Sequence, residues 1–353
     1  MNSIDYLIVG GGIAGLTIAD ILENKEQKII IVDQWMEGTA SLQSAGVINP
    51  VTGMRFVKSW NFEEIQKSFL YFYSGLEQKL KIRFIRTCKL IQLLKNPDEE
   101  NRWMSRTAET EYASYVSDLC ESPPGGIRQT ENDSYAVLKN VHLIDVDQLM
   151  NHWMDYFKKK SIFVQQKFDL SELIRTPQAL MWNKYHISKG IIFCEGYRIL
   201  ENPFFNWLPI YKLKGEYTQF YSEELKLEHI YKSEYSIVPL SENKYWCGSN
   251  FSLEDSSLNC TETEMYKQSE FLKKQLNAPF EILSHGYGIR PSTKDRRPIA
   301  GRHSEDPRLA VLTGFGTKGY SLAPYCAKYL ADHLLGKASI PYSISCDRFK
   351  GVI

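Results

Sequence analysis

Three groups of residues in this chain have the types and spacing that do chemistry. The first is Gly10-x-Gly12-x-x-Gly15, with Ile13 and Ala14 between its last two glycines and Asp33 downstream. In such a motif the first glycine permits a tight turn, the second lets backbone approach a pyrophosphate, and the third lets helix and strand pack closely. Asp33 is placed to accept hydrogen bonds from ribose hydroxyls. The second group is Gly314-x-Gly316-x-x-Gly319, which carries Thr317 and Lys318. The third is Arg290, held between Ile289 and Pro291. Its guanidinium is a planar two-pronged donor that matches a carboxylate, and the proline stiffens the backbone beside it. An interdomain salt bridge is the competing use for this arginine.

The elements that must position these groups are legible around them. Residues 5–9, DYLIV, are short, apolar and β-branched, as in a buried parallel strand. IAGLTIADILENK fits a helix packed on a sheet, and KIIIVD a second strand ending at Asp33. The helix N-terminus then offers unpaired N–H groups and the positive end of its dipole to the phosphates. This motif alone leaves FAD and NAD(P) open. The second cradle, a strand over 309–313 followed by an amphipathic helix closing at Gly336, favours FAD. Reduced flavin carries negative charge around N1 and the C2 carbonyl, which a helix N-terminus or a lysine such as Lys318 stabilises. A solvated lysine on a glycine turn is the plainer alternative. Between the two cradles, IIFCEG enters Gly196, where a side chain is expected to collide with a neighbour, and residues 145–168 supply a helix and the strand SIFVQQKF. The dinucleotide-binding part is therefore assembled from separated pieces of chain.

The composition is that of a soluble globular protein of two domains: 353 residues, 43% hydrophobic and 24% charged. Lys plus Arg equals Asp plus Glu at 42 each, so no overall field draws the chain onto nucleic acid or an anionic membrane. The basic residues Lys294, Arg296, Arg297 and Arg302 that follow Arg290 read as a solvent-facing rim, with tRNA phosphates as the functional alternative. Seven scattered cysteines without CxxC spacing read as free thiols in a reducing, cytoplasmic compartment, and no metal site is expected. No apolar run reaches the length of a membrane span. Tyr217, Tyr235 and Tyr245 fall on expected strands, where they either line a pocket or pack in the core.

Across DYLIVGGGIAGL with Asp33, SLQSAGVINP, IIFCEG, LKGEY, IVPL with YWCGS, GIRPSTKDRRPIAGRHSEDPRL and GFGTKGYSLAP, the chain resembles the glycine oxidase, sarcosine oxidase and D-amino-acid oxidase family of FAD enzymes. It is similar in the same blocks to a flavin-dependent branch that trims carboxymethylaminomethyl uridine in tRNA. The resemblance implies an α/β fold with a doubly wound, Rossmann-like FAD domain and a second α+β domain built on an antiparallel sheet. It implies hydride removal from the carbon beside an amine, giving an imine that water hydrolyses. Arg290 stands where the family binds the substrate carboxylate. Ser41, Ser44 and Gly46 stand where it runs past the pyrophosphate and flavin ring, and Phe168 where it meets the adenine. No cysteine lies in 288–291, which implies noncovalent FAD. Three positions depart from the pattern, the first being Asp33, which replaces a more usual glutamate and should still reach the ribose. Glu216 stands where a glutamine is usual, and Ser236 where glycine oxidase has a substrate-side tyrosine. Neighbouring Tyr235 is carried as a candidate catalytic residue, although strand alternation turns it to the opposite face. No general base is evident.

The expected division is an FAD-binding domain over 1–83, 142–203 and 284–353 and a substrate domain over 84–141 and 204–283. The leading expectation is FAD-dependent oxidation of a small carboxylate-bearing amine or amino acid, with the electron acceptor and oligomeric state left open. The alternatives are a tRNA-modifying enzyme with the same flavin chemistry and a noncatalytic flavin-binding protein.

Overall fold

The computed structural model describes residues 2–34, 38–53, 55–120, 122–129, 133–255, 257–350. Two large sheets organise them. In the first, strand Asn2–Val9 lies parallel to Ile29–Val32 on one side and to Tyr185–Phe193 on the other. Phe163–Val164 extends the sheet beyond Ile29–Val32, and Leu309–Thr313 runs parallel to the C-terminal half of Tyr185–Phe193. The β-branched runs explain this core. Tyr6, Ile8, Ile29 and Ile31 turn to one face, where helices Ile13–Glu23, Val146–Lys159 and Gly319–Leu334 pack. Leu7, Val9, Ile30 and Val32 turn to the other, onto Trp182, Phe193 and Phe205. Alternation along buried strands makes both faces apolar, as a doubly wound sheet requires.

The second sheet runs in the order Glu281–Thr293, Ile210–Tyr221, Lys244–Gly248, Ser236–Pro239, Ile230–Lys232, Ile85–Leu94, Ser134–Ile144 and Val47–Ile48. Its pairs are antiparallel, except that Ile230–Lys232 lies parallel to Ile85–Leu94. Helix Glu262–Gln275 covers its outer face, where Phe271 and Leu272 pack on Phe220, Ile237 and Cys247. Strand Glu281–Thr293 pairs with Ile210–Tyr221 along its length, so the chain rejoins the first sheet only at Ile299–Arg302 and residue 284 falls inside this strand. The stretch 120–134 is an irregular connection between strands, as its Pro and Gly content suggests, although 121 and 130–132 lie outside the described residues. All seven cysteines are free thiols. Among the described residues no helix is long and apolar enough to cross a membrane.

Candidate functional site

The carboxyl ends of the first sheet's strands and the inner face of the second sheet border a cavity of about 1560 Å³. Single ligands occupy about 300–1,000 Å³, so this one has room for a dinucleotide and a substrate together. At its dinucleotide end Gly10, Gly12, Ile13, Ala14 and Asp33 form the wall. Gly10 has φ +106°, and a side chain there would strike the carbonyl of Cys194 on the neighbouring strand. Gly15 lies off the cavity; a Cβ on it would run into the Gly10 carbonyl, so it sets how closely helix and strand approach. Gly12 supplies no side-chain cap to the helix, and Ser41 Oγ accepts from the Ile13 N–H at 3.0 Å. Asp33 Oδ2 accepts from the Gly11 N–H. Phe168 packs on Trp182 and Phe193, with ring centroids 5.3 and 5.9 Å away, and faces the cavity. Gly196 also lines it, but the expected collision is absent. No atom lies within 4 Å of a Cβ built there, and the glycine is needed for its φ of +59°. Glu195 beside it is pushed up to about 7 by burial, opposed by a 2.7 Å hydrogen bond from Asn202. A cradle closed to side chains, a helix N-terminus and a ribose-side carboxylate together fit FAD.

The second cradle adjoins the first. Gly314, Gly316, Thr317, Lys318 and Gly319 line the cavity, and a Cβ on Gly319 would come within 3.1 Å of Ile13. Ser41 ties the two, since its carbonyl accepts from Tyr320 OH at 2.6 Å while its hydroxyl serves Ile13. Lys318 Nζ donates to Ser59 Oγ at 3.1 Å and has no carboxylate partner among the described residues. Burial first, then the charges of Arg296 and Arg297, lower its pKa. Ser44 lines the cavity and its Oγ accepts from Gly46 N–H at 3.1 Å. Gly46 itself does not, against expectation. With φ +72° and the Ile144 carbonyl where a side chain would go, it turns the chain into the second sheet.

On the substrate wall, alternation decides which side chains face inward. Leu213, Gly215 and Tyr217 on one strand, Ser236 and Val238 on another, and Trp246 and Gly248 on a third all line the cavity. Tyr217 stacks on Trp246 at 5.4 Å between centroids. Tyr235 does not join them. It lies just before strand Ser236–Pro239 and turns into the outer core, where its hydroxyl donates to Glu264 at 2.8 Å. The candidate role for Tyr235 is thereby overturned, and Ser236 holds the inward place. Tyr245 also packs outward. Glu216 is on the outer face too, bonded to Thr261, His285 and Lys214, so its departure from the family pattern does not touch the cavity. Glu216, His285 and Cys260 bring three possible metal-ligand atoms within 4.8 Å of one another, but Lys214 Nζ already stands 3.2 Å from the carboxylate as a cation.

Arg290 lines the cavity. Its Nη1 donates to the carbonyls of Lys214 (3.3 Å) and Asn250 (3.4 Å), its Nη2 to Ser249 Oγ, and its guanidinium lies 4.8 Å from the Phe251 ring centroid. No carboxylate among the described residues pairs with it. Burial lowers its pKa to about 10, leaving it cationic at neutral pH. Gly215, the glycine of the LKGEY block, stands against this side chain. A side chain there would collide with the Arg290 guanidinium, so the glycine makes its resting place.

The basic run does not form one rim. Lys294 is exposed and Arg296 stands at the cavity edge. Arg297 is half-buried over Trp60, 4.3 Å from its centroid. Arg302 donates to the carbonyls of Pro307 and Leu334, satisfying the end of the last long helix. Ser59, Trp60, Ser249 and Phe251 were missed because folding, not sequence spacing, brings them to the site.

The model of the DAO family, described as FAD dependent oxidoreductase, matches residues 5–333. Glycine oxidase of Bacillus subtilis (strain 168) is 23% identical, covering 94% of this chain and 93% of its own. The tRNA 5-methylaminomethyl-2-thiouridine biosynthesis bifunctional protein MnmC of Marinobacter nauticus is also 23% identical over 93% of this chain, which spans only 55% of that protein. The crystal structure of glycine oxidase from Geobacillus kaustophilus superposes with a TM-score of 0.82 at 17% identity, covering 96% of each chain, and so shares the fold. With both glycine cradles on one cavity and a family match over most of its length, the chain belongs to the DAO family of FAD-dependent oxidoreductases.

Proposed function

We infer that the protein oxidises the C–N bond of a small amine or amino acid bearing a carboxylate, with FAD held noncovalently. Arg290 carries this reading: a cation without a carboxylate partner among the described residues, fixed by two carbonyls and a hydroxyl on the wall of the cavity that both cradles line. FAD, when bound, supplies the hydride acceptor beside the substrate's amine-bearing carbon. Gly10, Gly12 and the N-terminus of helix Ile13–Glu23 would hold its pyrophosphate, Asp33 its ribose, and Lys318 the negative charge on its reduced ring. Arg290 binds the substrate carboxylate, and the stacked Tyr217 and Trp246 keep water from that end of the cavity.

Anaerobic mixing of the holoenzyme with N-alkylglycines and amino acids should bleach the flavin absorbance with at least one of them. Bleaching with none returns the chain to a noncatalytic flavin protein. Arg290→Ala should raise KM for the carboxylated amine about 100-fold, the scale for truncating one partner of a buried charge pair. An unchanged KM would remove the clamp. The exposed Lys294 and Arg296 favour a second reading, the same chemistry on a tRNA uridine. Filter binding across a salt series tests it, because phosphate contacts give steep salt dependence.

A further inference from the structure

Lys58, Arg296, Arg297 and Lys318 come together where the hairpin of strands Val51–Thr52 and Val57–Lys58 meets the turn 294–297, with Arg55 of that hairpin also on the cavity wall. One is already neutralised: Lys58 Nζ pairs with Glu63 at 2.8 Å and Glu111 at 3.3 Å. The other three, Arg296, Arg297 and Lys318, line the cavity and have no carboxylate partner among the described residues. Asp295, the acid in the same turn, gives its oxygens to Arg348 Nε at 2.9 Å and to the Arg297 backbone N–H at 3.0 Å. The Arg297 guanidinium lies over the Trp60 ring, and its Nη1 is buried with no hydrogen-bond partner among the described residues. Buried guanidinium nitrogens in folded proteins are nearly always satisfied, and an uncompensated cation cluster is unfavourable until an anion joins it. Burial lowers the pKa of both Arg297 and Lys318, the latter further through Arg296 and Arg297.

We propose that Arg297, placed over Trp60 and flanked by Arg296, forms an oxyanion subsite at the cavity edge, separate from Arg290 and from the lysine assigned to the flavin, that takes a second anionic group on the far end of the amine substrate. The preferred substrates then carry two anions: the carboxylate that Arg290 holds beside the amine, and a distal phosphate or carboxylate. This subsite rests on the amine-oxidising reading above. Arg297 is suited to the task because its planar fork is held over a ring and its Nη1 has no hydrogen-bond partner among the described residues.

The test titrates the holoenzyme anaerobically with two pairs, serine against O-phosphoserine and asparagine against aspartate, reading half-saturation from flavin bleaching. A preference of about tenfold or more for the anionic member of a pair is expected, the first pair reporting phosphate and the second carboxylate. Arg297→Gln should bring that preference close to unity. Lys294→Ala, exposed in the same run and off the cavity wall, should keep it. Preference for neither anion, its survival in R297Q, or its loss in K294A overturns the subsite. So does a shift in the flavin spectrum of substrate-free R297Q, which would show that the guanidinium answers to the cofactor. A measurement free of turnover runs beside these. Inorganic phosphate should raise the holoenzyme Tm in the wild type and not in R297Q, and protection in neither protein overturns the subsite. Protection that depends on Arg297, with no bleaching by any amine, would leave the subsite standing and refute the amine-oxidising reading.

Discussion

Glu195 stands where strand Tyr185–Phe193 gives way to the turn at Gly196, on the wall beside Gly10 and Asp33. Burial, with added repulsion from Glu201 and Asp33, holds its carboxyl neutral up to about 7, against an ordinary value of 4.5. Between those two values the folded chain keeps a proton that the unfolded chain has released. Its contribution to stability therefore falls as pH rises through that window and is flat above it. Glu195→Gln stays neutral, so its Tm relative to wild type should be higher at pH 8 than at pH 5. An equal difference at both pH values would show that Glu195 is ionised in the fold. The sequence made the glycines and acids of this end readable, because a φ of +106° or a missing Cβ narrows the residue type. It did not reveal that Glu195 is desolvated, since that depends on Asn202 and on strands far along the chain. Gly196 was read for the wrong reason, because sequence marks a glycine without distinguishing a close neighbour from a backbone angle.

At the scale of strands, pairing register decides what faces the cavity. One residue separates Tyr235 from Ser236, and that single step turns the tyrosine into the outer core. Strand existence was legible from β-branched and aromatic runs, whereas the face was fixed by pairs such as Ser236 with Gly248 and Leu213 with Arg290. The turn at Arg296, with φ +55°, likewise broke a run of cations that looked continuous in sequence. Register also makes Gly215 testable. Gly215→Ala places a methyl against the Arg290 guanidinium, and overpacking of that kind costs about 1–3 kcal/mol. KM for the carboxylated amine should rise about tenfold in this variant. Gly75→Ala, in helix Phe62–Leu80 with nothing within 4 Å of the new methyl, should instead add about 0.5–1 kcal/mol and leave KM alone. Equal effects of the two changes on KM would show that Gly215 has no part in placing Arg290.

For the whole molecule, the cavity lies between two sheets, so a ligand that fills it binds only the folded chain. FAD at about 100 times its Kd should add about 2.7 kcal/mol, and the Tm of the apoprotein should rise by about 2 °C or more. No shift on adding FAD, measured by thermal scanning, would contradict the assignment of the cradles. The sequence showed that the dinucleotide-type pieces are separated, and strand pairing places Glu281–Thr293 in the second sheet and Ile299–Arg302 in the first.

The two cradles meet in space at Ile13 and Gly319 yet stand at positions 10–15 and 314–319 in sequence. During synthesis, helix Ile13–Glu23 emerges well before its partner, with Leu16, Ile18, Ala19 and Leu22 needing a covering surface. Much of that surface is helix Gly319–Leu334, made much later. The nascent protein therefore carries an uncovered apolar face until that helix follows, and long-range closure of this kind is slow and prone to association. A cavity walled by both cradles is complete only once the second of them has been made and docked on the first.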